Sequence, residues 1–165
     1  MKYAAAVLAV LLWSCGTNQP SPDSLAQDET DIKTIVNNLH VSLSRAYNKG
    51  GIDTDSLMDA YYDKDMYYVT PWATSEPLDS TKKRLRSALP LIKDYSNSVE
   101  SLSARSYGNS AYAFFVLRQN YVIDGHLRDE YLPTTLIFER QGDDWRIVHA
   151  QRTTDYETMQ QYVHH

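Results

Sequence analysis

Four stretches of strand-forming residues follow one another in the second half of the chain: Ser98 to Tyr107, Ala111 to Ile123, Leu127 to Arg140 and Asp144 to Thr153. Only Gly108-Asn109, Asp124-Gly125 and Gln141-Gly142-Asp143 mark the gaps between them. Connections this short, built from glycine and Asn or Asp, join antiparallel neighbours and leave no room for a crossover. An antiparallel meander is therefore the framework that the rest of the chain has to cover.

What precedes the meander is helical. Ile32, Ile35, Val36, Leu39, Leu43, Ala46 and Tyr47 recur at helical spacing, with Asp28, Glu29 and Asp31 at the positive end and Gly50-Gly51 as the stop. Asp53 and Thr54 can cap a second, shorter helix through Leu57, Met58, Ala60 and Tyr61, and a strand from Met66 to Thr70 stops at Pro71. Asp79 or Ser80 can cap a third helix with Leu85, Ala88, Leu89 and Ile92 on one face, which Pro90 should kink or interrupt. A short helix over residues 155 to 163 closes the chain. Helices first and hairpin-linked strands after give an α+β domain, three helices packed on one face of a curved antiparallel sheet.

The first residues read differently. Met1 and Lys2 precede an apolar run from Tyr3 to Trp13, too short to span a bilayer and suited to a signal-peptide core. Leu12-Trp13-Ser14-Cys15-Gly16 resembles a bacterial lipobox, with Trp13 where a small residue is usual. That resemblance implies cleavage before Cys15, lipidation of Cys15 and tethering to a bacterial membrane, with Gly16 favouring the outer membrane of a Gram-negative cell. Cys15 is the sole cysteine, so in an oxidising compartment it has no disulfide partner. The divisions expected are a signal peptide over 1–14, the lipidated Cys15 with a flexible tether over 15–27, and one domain over 28–165.

The formal charge is −5, and losing Lys2 makes it more negative. That sign argues against nucleic acid, whose binding depends on Lys and Arg neutralising phosphates. Tyrosine is abundant, at 13 residues, and suits strand faces and binding pockets alike.

The helix order, the Gly-Gly turn followed by Asp53, and the closing Gly142-Asp143-Asp144-Trp145-Arg146-Ile147-Val148-His149 strand resemble the nuclear transport factor 2-like superfamily over residues 28 to 154. SnoaL-like and ketosteroid-isomerase-like proteins belong to it. The resemblance implies a cone-shaped α+β fold with a pocket between sheet and helices, and frequently a homodimer through the sheet. On the last strand Trp145, Ile147, His149, Gln151 and Thr153 share one face, with Arg146 and Arg152 on the other. If arginine prefers water, the tryptophan face points in and carries His149 and Gln151 to the pocket. The same argument turns Phe115, Leu117, Gln119 and Tyr121 inward. Matching the ketosteroid-isomerase-like branch adds Tyr62, Tyr68 and Thr135 to the cavity and sets Trp72 at its mouth.

That branch's chemistry needs an aspartate before the proline and two oxyanion donors. Thr70, Leu43 and Thr135 stand at those places, so an isomerase of that type is not expected. His40, His126 and His149 lack metal-ligand spacing, and no P-loop, dinucleotide fingerprint or Gly-x-Ser-x-Gly elbow occurs, so neither metal nor cofactor is expected. Three readings stand on these residues. One is a non-catalytic pocket for a small apolar or amphipathic molecule, and another is an enzyme with His149 as general acid or base. The third is a module that dimerises or docks through its outer sheet face.

Overall fold

A computed structural model describes residues 20–50 and 52–163. The expected signal peptide, Cys15 and the first part of the expected tether lie outside the described residues. The elements run α1 (Pro22–Lys49), α2 (Thr54–Tyr61), β1 (Tyr62–Val69), β2 (Ser75–Pro77), α3 (Leu78–Ala88), β3 (Ile92–Ser106), β4 (Ser110–Ile123), β5 (His126–Gln141), β6 (Asp144–Arg152) and α4 (Tyr156–Val163).

Helix α1 starts well upstream of its expected first turn. Ser21 caps it by accepting from the Ser24 amide at 3.1 Å, a proline occupies the first turn, and Asp23 adds negative charge there. Residues 22–27, read from composition as tether, are thus the opening turns of the helix. Its buried stripe of Ile32, Val36 and Leu39 lies on Phe115, Leu117, Leu136, Phe138 and Ile147 of the sheet. Each such side chain contributes about 1.5–3 kcal/mol when fully buried, which holds the helix in place on the sheet. Helix α3 ends at Ala88, so Pro90 terminates the helix rather than kinking it.

The sheet has six strands in the order β2-β1-β6-β5-β4-β3. The meander β3 to β6 is antiparallel throughout, and the β4–β5 connection places both Asp124 and Gly125 at positive φ, the backbone that a two-residue hairpin turn requires. The purely antiparallel sheet expected from sequence needs one correction, because β1 pairs parallel with β6 and makes the sheet mixed.

Strand β6 carries a β-bulge. Phe138 pairs with Ile147 and the adjacent Ile137 with His149, so Val148 is the extra residue and the in/out alternation resets across it. Before the bulge Trp145 and Ile147 are buried; after it Ala150 is buried instead. This resetting decides which side chains reach the interior.

Candidate functional site

Between the sheet and the helices lies a cavity of about 320 Å³, at the small end of the range that accommodates small organic molecules. Its floor is Leu132, Leu136 and Ala150, its sides are Met58, Met66, Leu85 and Leu43, and tyrosines from five elements line it: Tyr47, Tyr62, Tyr68, Tyr95, Tyr121 and Tyr162. Trp72 stands at the mouth in edge-to-face contact with Tyr162 of α4, the ring centroids 4.9 Å apart.

One wall is a hydrogen-bonded chain of polar side chains. The Asn97 side-chain amide donates to the Tyr95 hydroxyl (3.2 Å), Tyr95 donates to Gln119 Oε1 (3.0 Å), and Gln119 donates through Nε2 to Glu130. The Glu130 carboxylate also accepts from the Tyr121 hydroxyl at 2.8 Å, and Tyr121 meets the Tyr162 hydroxyl at 2.9 Å. Glu130 is only 6% exposed, so these donors replace the water it has lost. Burial, reinforced by the Glu130 charge and hydrogen bond, pushes the Tyr121 phenol well above its ordinary range and fixes it as a donor. Tyr47 stacks on Tyr95 with ring centroids 4.3 Å apart, holding the chain against α1.

The opposite wall holds arginine. Arg84 donates through Nε and Nη2 to Glu76 (2.9 and 2.7 Å), and its guanidinium carbon lies 5.2 Å from the centre of the Tyr68 ring. Arg152 reaches the same ring, at 5.8 Å.

Of the residues expected to line the pocket, Tyr62, Tyr68, Trp72, Gln119 and Tyr121 do line it. Thr135, His149 and Gln151 do not, and each needs correction. His149 pairs with Ile137 on one side and Tyr67 on the other, both exposed outward, while Gln151 pairs with Thr135, whose other neighbour is the exposed Phe114. All three belong to the outer sheet face. The cause is the Val148 bulge, which turns His149 and Gln151 out and brings Ala150 and Arg152 in. The assumption that arginine seeks water then pointed the wrong way. An acid–base role for His149 in the cavity loses its geometric basis.

Sequence reasoning missed Tyr47, Tyr95, Glu130, Arg84 and Arg152. Glu130 was readable in principle: it shares the strand parity of Leu132 and Leu136, which marks the inward face of β5. Arg152 carried no signal, since its direction depends on a bulge with neither glycine nor proline to mark it.

No family model matches the chain, and no curated protein does. Solved structures do resemble it. A nuclear transport factor 2-like superfamily protein from Salmonella enterica serovar Typhimurium superposes with a TM-score of 0.67 at 15% identity, covering 81% of this chain and 94% of that one. An uncharacterized protein with a cystatin-like fold from Caulobacter vibrioides gives 0.64 at 19% identity, covering 81% and 95%. A nuclear transport factor 2-like protein from Cytophaga hutchinsonii gives 0.64 at 9% identity, covering 76% and 97%. Likeness of this kind, with the helix order and the curved mixed sheet described above, shows that the chain has the α+β cone fold of nuclear transport factor 2-like proteins.

Proposed function

We propose that the protein is an exported lipoprotein, held to a bacterial membrane through Cys15, whose cone-shaped domain binds a small apolar or amphipathic molecule without transforming it. The observation that carries the binding reading is the cavity: a tyrosine-lined space that keeps polar groups on two walls, as small-molecule sites do. Its ionisable lining residues are tyrosines, Arg84, Arg152 and a Glu130 carboxylate whose two oxygens already accept hydrogen bonds. That set offers recognition and no free acid–base pair. The lipobox-like Leu12-Trp13-Ser14-Cys15 supports the anchor.

A second reading, self-association through the sheet, draws on the outer face. Tyr67 is 56% exposed and Phe114 43%, and Tyr112, Tyr131 and Ile137 are exposed beside them. Aromatic residues left open on a sheet face are the side chains that interfaces favour.

Native mass spectrometry of the full chain purified from its own host tests both readings and the anchor. The expected spectrum has a retained small molecule on the wild type and none on Ala150→Leu, which adds carbon to the cavity floor. It also has the mass of acyl chains on Cys15 and that of a dimer. Ligand-free masses in both samples overturn the binding reading, an unmodified Cys15 overturns the anchor, and a monomer overturns the second.

A further inference from the structure

The arginines around the cavity can be sorted by what balances them. Arg84 is paired with Glu76. Arg128 donates to the Gln161 carbonyl and lies 4.9 Å from the Tyr162 ring centre, two residues from Glu130 on the same inward parity of β5. Arg140 is paired with Asp28, and Arg146 donates to the carbonyls of Asp59 and Ala60. Arg152 stands apart. It lines the cavity, yet among the described residues its side chain makes no hydrogen bond and no ion pair, only the face contact with Tyr68.

A guanidinium has five N–H donors and stays charged at any pH a protein meets. Arg152 is partly buried, and polar groups held away from water as a rule have partners. Arg152 pairs with no carboxylate of the lining. Glu130 is its only carboxylate, and Tyr121 and Gln119 occupy both of its oxygens. The phenols of Tyr47 and Tyr62 lie within electrostatic reach of Arg152, but burial raises both above the ordinary phenol range, Tyr62 to about 12, so they remain neutral. They are donors, and like Tyr68 their hydroxyls have no hydrogen-bond partner among the described residues. The cavity thus presents a guanidinium that no side chain engages by hydrogen bond or ion pair, with unpaired phenols around it and apolar walls beyond.

We propose that Arg152 is an anion-recognition residue, and that the molecule held in the cavity carries a single carboxylate on an apolar or aromatic body. One guanidinium meets a carboxylate through two parallel hydrogen bonds, and the free phenols can satisfy the remaining lone pairs. A dianionic phosphate would call for a second unpaired cation, and Arg84 is already committed to Glu76. This inference rests on the cavity being a small-molecule site and says which class of molecule it takes.

The test titrates the full chain calorimetrically at pH 7 with three probes of one skeleton: 4-phenylbutyrate, 4-phenylbutan-1-ol and 4-phenylbutylamine. The acid should bind roughly 10- to 100-fold more tightly than the alcohol, the range expected for hydrogen bonds to a charged group, and the amine more weakly than either. In Arg152→Met the acid should fall to the affinity of the alcohol, while retained alcohol binding shows an intact cavity. Arg152→Lys should recover part of the preference as a point charge without the fork. Equal binding of acid and alcohol to the wild type overturns the anion site and leaves the cavity reading standing. A preference that survives in Arg152→Met overturns the assignment to this residue. If no probe binds the wild type, the cavity reading fails and the proposal with it.

Discussion

Asp28→Ala is expected to lower the stability of the domain by about 3 kcal/mol, the size seen when one partner of a buried charge pair is removed. Asp28 lies on α1 among the buried residues and accepts hydrogen bonds from two strands at once, from Ser106 at the end of β3 (3.0 Å) and from Arg140 of β5. The Arg140 guanidinium in turn covers the Trp145 ring, 4.3 Å from its centre. Losing the carboxylate leaves that guanidinium without its counter-charge and the Ser106 hydroxyl without its acceptor. It also frees the first turns of α1 from the sheet. Because the Arg140 side chain is 29% exposed, water can take over part of the role, which sets the expectation at the lower end of the range for such pairs. Asp28→Asn keeps an acceptor for Ser106 and should cost about half as much. Urea unfolding of the two variants, read as a shift in midpoint at constant slope, checks this. A loss under about 1 kcal/mol for the alanine variant would show that the pair does not hold α1 down.

Acid should destabilise the wild type through His40. This histidine is 2% exposed in the middle of α1, against the edge of Phe115 with ring centroids 5.2 Å apart. Its Nδ1 donates to the Val36 carbonyl at 2.8 Å, and the buried Nε2 has no partner among the described residues. Burial, with the Arg152 charge adding to it, lowers its pKa from 6.5 to about 4. The folded state therefore refuses a proton that the unfolded chain accepts below pH 6.5, so stability falls as the pH drops from 6.5 towards 4 and rises with pH across that window. Integrated to pH 5, the loss from this one residue is about 2 kcal/mol. His40→Leu, close in volume and unable to titrate, should remove that slope. The difference between wild type and variant across pH 7 to 5, measured by thermal or urea unfolding, isolates His40 from the carboxylates and the other histidines. Parallel stability curves for the two proteins would refute the assignment.

Much of the architecture was legible because it rests on period and turn chemistry. The helical recurrence from Ile32 to Tyr47 and the glycines at 108, 125 and 142 fixed one long helix and three hairpins, and those bring Gln119 and Tyr121 to the interior. What escaped had identifiable physical causes. The start of α1 depends on Ser21 and the proline after it, which compositional reasoning read as linker. The parallel pairing of β1 with β6 is a tertiary event without local signal. The placement of His149, Gln151 and Arg152 failed together. On β6, one extra residue shifts the parity of everything downstream, and valine at position 148 looks like any other strand residue. Thr135 failed for a different reason, having been set inward by likeness to another branch's pattern, although its neighbours Thr134 and Leu136 are the buried ones.

The Val148 bulge has a bearing on how such a pocket could change over evolutionary time. Losing the single codon for Val148 would leave Ile147 opposite Phe138 and His149 opposite Ile137, so a deletion there straightens the strand and keeps Arg152 inward and His149 outward. The near end of the strand, with Trp145 and Ile147 in the core, would keep its packing.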